Sequence, residues 1–244
     1  TLGMSATETM DVDGLKDIEV SPEYMAQQLE TREDSDKYTD ESIQQVFSEY
    51  AEIDITNETA VKNNADELVE RYGKIDGLVN NAAQNPKVEE NNENNFSRLE
   101  NFPLDAWMED INVGLTGAFI CAKYFGHKIS KNPKGGSIVN ISSDLGLIAP
   151  DQRLYHKENL SKDQQLVKPV SYSVIKTGLI GLTRYLATYW IDQGVRCNAI
   201  CPGGVDNGQP KEFLTEVSSR IPMNRLANAD EYQGTLVWML SEAS

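Results

Sequence analysis

Three short apolar runs punctuate the chain: residues 75–79, 136–141 and 195–200. Each is too short for a helix, and each is apolar along most of its length rather than strictly alternating. That is the pattern of a strand covered on both faces. A fourth segment, Ala51–Thr56, reads as a further short strand. Longer stretches of helical period lie between them. Val61, Ala65, Leu68 and Tyr72 recur at helix spacing, with Thr56 or Asn57 as cap and Gly73 as stop. Trp107, Ile111, Leu115, Phe119 and Tyr124 lie largely on one side of a long helix predicted over 104–131. Leu179, Leu182, Leu186 and Tyr189 mark another over 171–191, facing the core or a partner helix. Shorter helices are predicted over 212–220 and 230–242. Strands alternating with helices in this way predict an α/β fold, a doubly wound parallel sheet.

Residues 1–48 depart from that alternation. They are polar and acidic, with helical hints only at 21–31 and 40–50, and much of 1–40 has the composition of a disordered segment. The net charge of −16 is concentrated there: residues 1–56 hold 15 acidic and 3 basic side chains, leaving −4 for the remainder. The domain proper is therefore read as 49–244, behind an atypical acidic segment. An acidic balance disfavours nucleic acid and anionic membrane, since phosphate contacts need Lys and Arg. No run approaches a membrane span, and no signal peptide opens the sequence. Cys121, Cys197 and Cys201 have neither metal-ligand nor paired spacing, and the two histidines are too few for a His-rich metal site. Free thiols in a reducing cytoplasm, and no metal, are the reading.

The chemistry gathers where the predicted strands end. Residues 80–83 (Asn-Asn-Ala-Ala) follow the first apolar run, Ser142 and Ser143 follow the second, and Pro202-Gly203-Gly204-Val205 follow the third. Ligands of open parallel sheets bind at the carboxyl ends of strands, where small residues let them approach the backbone. Tyr172 and Lys176 open the helix over 171–191. Four residues apart, they share a face, and a nearby cation favours the phenolate form. Tyr124 and Lys128 have the same spacing but no strand-end polar group before them. Bland readings remain open beside these: a simple turn at Asn80-Asn81, and serine hydroxyls that merely satisfy backbone groups.

With these residues in view, the chain resembles the short-chain dehydrogenase/reductase family. The matching pieces are Asp54-Ile55-Thr56, Asn80-Asn81-Ala82-Ala83, Ile141-Ser142-Ser143, Tyr172-x-x-x-Lys176 and Pro202-Gly203, in the family's order across about residues 50–241. In detail it is most similar to the branch holding flagellin-modification and sugar-modifying dehydrogenases. The resemblance implies a Rossmann-like fold and hydride transfer between NAD or NADP and an alcohol/ketone pair, with a sugar or nucleotide-linked sugar as one substrate class. Tyr172 would exchange the proton, Lys176 would lower the phenol's pKa and hold the nicotinamide ribose, and Ser143 would orient the carbonyl. Asp54, Ile55, Asn81, Ala82, Pro202, Gly203 and Val205 would line the cofactor site together with Tyr172 and Lys176. The resemblance also implies a cytoplasmic homo-oligomer, dimer or tetramer, acting on a small molecule.

Several features depart from the family. No Gly-rich phosphate turn appears: the only glycines before Gly73 are Gly3 and Gly14. The first β-α-β unit and the last strand are expected to be missing, as in a fragment or in a variant that binds no dinucleotide. Ala83 replaces the commoner Gly. The family's catalytic Asn falls on Gly114, so Asn112 or water would have to substitute. From Ser143 to Tyr172 the chain runs 29 residues, about twice the length in compact relatives, and its Arg153, His156, Lys157 and Lys168 either meet an anionic substrate or stay solvated. The alternative to an enzyme is a non-catalytic binding or assembly partner of dehydrogenase-like fold. Hydrolysis at Ser143 is disfavoured: no histidine is in an obvious base position, and no Gly-x-Ser-x-Gly elbow surrounds it.

Overall fold

The computed structural model describes residues 53–84 and 97–244, and the backbone of Met4 and Ser5. The helical hints at 21–31 and 40–50 lie outside these residues, as does most of the acidic segment. Four parallel strands form one sheet in the order β1 (Met4–Ser5), β2 (Gly77–Asn80), β3 (Gly136–Ile141) and β4 (Val195–Ile200). Strands β2 to β4 fall on the three apolar runs, and β1 adds two residues beside Leu78 and Val79.

Residues 51–52 of the strand expected at 51–56 lie outside the described residues, and its described part is corrected: residues 54–57 form a turn. Asp54 explains why. Its Oδ1 accepts from the Thr56 backbone N–H at 2.8 Å and from the Thr56 hydroxyl at 2.7 Å, and its carbonyl accepts from Asn57 N–H at 3.0 Å. A side chain that bonds its own backbone two residues on makes an Asx turn rather than a strand. Ile55 anchors that turn in the core, 7% exposed. Helix α1 (Glu58–Tyr72) follows. Its cap is Asn57, which accepts from Ala60 N–H, and it stops at Gly73, whose φ of 81° only glycine adopts freely.

Helix α2 runs unbroken from Leu104 to Ile129. Its α-turns (Leu104–Ile111, Gly117–Cys121, His127–Ile129) are separated by two wider π-turns, Asn112–Thr116 and Ala122–Gly126. Helix α3 (Val170–Tyr189) packs against α2 and the sheet, while α4 (Lys211–Ser218) and α5 (Gln233–Leu240) complete the set. Ile138 and Asn140 of β3 face α2 and α3, whereas the Ser137 hydroxyl, on the opposite face, donates to Met239 O in α5 at 2.7 Å. Helices thus cover both faces, as a doubly wound sheet requires. The apolar faces of the helices are buried within the described residues only in part. Leu179 and Leu186 are buried, but Phe119 and Tyr189 stand exposed.

A buried polar ladder crosses the core behind the site. Asn80 Nδ2 donates to Asn140 Oδ1 at 2.7 Å, Asn140 Nδ2 to Thr183 Oγ1 at 2.8 Å, and Thr183 Oγ1 to Leu179 O at 2.8 Å. Asn80 and Asn140 are register partners in adjacent strands, so the ladder pins β2, β3 and α3 together. Buried amides of this kind are tolerated because each finds partners. Among the described residues no helix is long and apolar enough to cross a membrane.

Candidate active site

The ends of β3 and β4 are stitched together: Ser142 N–H donates to Ile200 O at 2.8 Å and Asp144 N–H to Pro202 O at 2.9 Å. That places Pro202 and Gly203 beside Ser143. The two serines then divide. The Ser142 hydroxyl donates to Lys176 O at 2.7 Å, a bond that joins the strand end to α3. The Ser143 hydroxyl faces the site, donating to Asp144 Oδ1 at 2.8 Å and accepting from Leu145 N–H at 3.2 Å.

Tyr172 lies in the first turn of α3, and its phenol comes close enough to the Ser143 hydroxyl for that group to lower its pKa. Lys176, one turn on and 6% exposed, donates to Ile141 O at 2.9 Å, and its ammonium lies 5.6 Å from the centre of the Tyr172 ring. Ser143 and the Tyr172–Lys176 pair, 29 residues further along the chain, therefore meet at the carboxyl end of β3. The second Tyr-x-x-x-Lys pair goes elsewhere: the Tyr124 hydroxyl donates to Glu58 Oε1 at 2.9 Å, and Lys128 pairs with Asp66, both on the exposed side of α1.

Burial governs the ionisation of this cluster. It pushes Lys176 down to about 8, against a small opposing influence of Cys201. It raises Tyr172 above the ordinary phenol value; the Ser143 hydroxyl pulls the other way, and the Asp144 charge adds to the rise. Lys176, expected to lower the phenol's pKa, is not among the influences on it, and desolvation dominates. Lys168 stands over the same ring, its amine 3.8 Å from the ring centre, and is depressed to about 8 by burial first and then by Lys176, with Asp144 opposing. Tyr155, from the long segment between Ser143 and α3, packs on Phe213 of α4 with centroids 5.9 Å apart. Its own phenol is pushed up to about 12 by burial and then by Tyr172 and Asp144. Asp144 and Tyr155 were not singled out from sequence; adjacency to Ser143 was the available signal for the first.

A second group forms across the sheet end. Ile55, Asn81 and Ala82 line one pocket with Ala118 of α2. Asp54 stands exposed in the turn before Ile55. Val205 is held by a parallel bridge to Ala227.

A family profile described as Enoyl-(Acyl carrier protein) reductase matches residues 26–244. An uncharacterized oxidoreductase of Thermotoga maritima is 35% identical over 175 residues, 67% of this chain and 59% of the relative. The post-translational flagellin modification protein A of Campylobacter coli is 30% identical over 79% of this chain and 70% of its own length. A crystal structure of a short chain dehydrogenase from Leptospira borgpetersenii, with bound NAD+, superposes with a TM-score of 0.69 at 27% identity, covering 80% of this chain and 69% of that one. This chain belongs to the short-chain dehydrogenase/reductase family. It spans 59% of the length of its Thermotoga relative.

Within the family pattern, Gly114 stands where the catalytic Asn is expected, and the structure shows what fills that place. A Cβ at Gly114 would lie 2.8 Å from Ile175 Cγ2, closer than real Cβ contacts come. Gly114 lies in the first π-turn of α2, closed by the bond from Gly117 N–H to Asn112 O. Single π-turns inside α-helices are frequent at functional sites. Asn112, the alternative, is exposed. At Gly114 helices α2 and α3 make a close contact that leaves no room for a side chain without a shift of Ile175.

Proposed function

We propose that this chain catalyses hydride transfer between NAD or NADP and an alcohol or ketone, with Tyr172 as proton donor and acceptor. The observation that carries the reading is the meeting of the Tyr172 phenol with the Ser143 hydroxyl, one helical turn from the buried amine of Lys176. Ser143 would hold the substrate oxygen against the phenol, and Lys176 would complete the path for the proton and hold the cofactor's nicotinamide ribose. Among the described residues the donor set fits a nicotinamide dinucleotide at its two ends. Tyr172, Lys176, Pro202, Gly203 and Val205 would hold the nicotinamide side; Asp54, Ile55, Asn81 and Ala82 would hold the adenosine side. The cofactor, when bound, supplies or takes the hydride. The bound NAD+ of the Leptospira structure supports this reading.

The substrate reading is a sugar or another polyhydroxy compound with an anionic group. Asp144 and Tyr155 offer acceptors and donors for hydroxyls, and the Tyr155–Phe213 pair offers an apolar face. Of Arg153, His156, Lys157 and Lys168 in the long segment, Arg153 is committed to Asp151 through bonds of 2.8 and 2.7 Å, and His156 and Lys157 are exposed. Lys168 is the one placed against the phenol. Exposed Phe119 on α2 and Tyr185 and Tyr189 on α3 support pairing between copies of the chain. A second reading, a non-catalytic partner protein, draws on Gly114, where the family pattern places an Asn. Calorimetric titration with NADH and NADPH separates the two. Saturable binding, with oxidation of a sugar alcohol or acid that Tyr172→Phe abolishes, supports the enzyme. Absence of binding to the whole protein sinks it.

A further inference from the structure

Helices α2 and α3 meet along a seam that advances four residues at a time on both. Ser171 meets Asp110, Ile175 meets Gly114, and Leu179 clusters with Ala118 and Ile175. Two of these contacts are apolar and tolerate small rotations. The first is directional: the Ser171 hydroxyl donates to Asp110 Oδ2, with Ser171 1% and Asp110 4% exposed. We propose that the Asp110–Ser171 bond is a rotational lock on α3, and that Asp110 is a positioning residue that aims Tyr172 at Ser143. The proposal rests on the dehydrogenase reading of the Tyr172 site.

Three arguments carry it. First, a buried carboxylate is costly and contributes little to packing, so its best-attested use is to specify register. The opposing influences on this carboxyl agree with that: burial raises its pKa, Glu109 adds to the rise, and the Ser171 bond pulls it down. Second, the position is apt. Ser171 immediately precedes Tyr172, and α3 begins at Pro169 with no side-chain cap, so Asp110 brings the acceptor and negative character that the start of a helix favours. Third, Ser171, Ile175 and Leu179 occupy the face turned to α2, while Tyr172 and Lys176 lie one residue on, turned to the end of β3. A rotation of α3 by about 20° displaces groups at its roughly 6 Å surface radius by about 2 Å, enough to break a hydrogen bond.

The test uses three variants of the whole chain. Asp110→Asn keeps an acceptor for Ser171; Asp110→Leu and Ser171→Ala remove the bond. Readouts are kcat and KM, dinucleotide affinity, Tm, and titration of the Tyr172 phenol by NMR of ring-labelled tyrosine, assigned by its loss in Tyr172→Phe. Asp110→Leu and Ser171→Ala are expected to lower kcat by on the order of 10- to 100-fold. Dinucleotide affinity should hold, and the phenol should titrate higher as the Ser143 contact loosens. Asp110→Asn should retain most of the activity. The lock is overturned if Asp110→Leu and Ser171→Ala change Tm alone, with kcat per folded molecule and the phenol titration both unmoved. It is equally overturned if Asp110→Asn is as damaging as Asp110→Leu. Ser171→Ala decides the matter should Asp110→Leu fail to fold. The phenol titration needs no turnover, so a protein that binds no dinucleotide would sink the functional reading and still leave the lock to be judged.

Discussion

The chain carries two Tyr-x-x-x-Lys pairs on two helices that pack together, and they come to different ends. At Tyr172 and Lys176 both side chains are drawn under the strand ends, where burial moves each pKa away from its ordinary value. At Tyr124 and Lys128 both reach outward to carboxylates of α1. Helix spacing puts a phenol and an amine on one face in either case. What separates them is the polar strand end that α3 faces and the exposed flank of α1 that this part of α2 faces. A sequence motif of this type therefore has chemical content only with its third partner, the hydroxyl of Ser143.

The comparison is broken most directly at the phenol. Tyr172→Phe is expected to lower turnover by on the order of 10²- to 10⁴-fold, the range of a lost general acid or base. Folding, read by Tm, should change little, because the ring and its packing remain. A Tyr172→Phe protein with near-normal turnover would remove the difference between the two pairs.

Next in size is Gly114→Asn, which restores the family's polar residue on paper. Its Cβ would meet Ile175 Cγ2 at 2.8 Å and Cδ1 at 3.1 Å, so the variant should lose about 1–3 kcal/mol of stability through overpacking. Adding Ile175→Ala should recover part of that loss. If Gly114→Asn is as stable as the parent by denaturant titration, the contact between α2 and α3 is looser than drawn.

Lys176 gives a comparison in pH. Its folded pKa is near 8 against an ordinary 10.5, so between those values the unfolded chain holds a proton that the folded one does not. Stability then rises with pH across that window, and below about 8 the burial cost of the ammonium is constant. Lys176→Met should flatten the rise by roughly 1–3 kcal/mol, measured as the difference from the parent between pH 7.5 and 10. Lys168, also near 8, leaves a residual slope of the same sign. A variant with the parent's full slope would show that Lys176 is well solvated.

Much of this could be read from residue order. Strands β2, β3 and β4 lie on the three apolar runs, and α1 and α3 begin within one residue of their predicted starts, because apolar runs and helical period are strong local signals. The segment at Ile53–Thr56 was misread because Asp54 bonds its own backbone, a local choice that defeats an apolar alternation. The site was legible at Ser143, Tyr172 and Lys176, each marked by a strand end or a helix face. Asp110, Tyr155 and the Asn80–Asn140–Thr183 ladder were not, since their partners are distant in sequence and nothing local announces them. The setting of Gly114 needed the packing too: its contact with Ile175 is between residues distant in sequence.

The smallest expected effect tests the other half of the comparison. Tyr124→Phe removes a hydroxyl whose partner, Glu58 Oε1, is also held by Lys123 Nζ at 2.6 Å. The carboxylate keeps a partner and water reaches the rest, so nothing buried is left unsatisfied. Tm should move by at most about 2 °C, and kcat and KM should match the parent within error. The outward pair would then be inert by the same assay in which the inward pair is decisive. A Tyr124→Phe protein with impaired turnover would mean that α2 transmits strain from its exposed end to Gly114 and Ile175, and that the two pairs are mechanically coupled rather than merely alike in spacing.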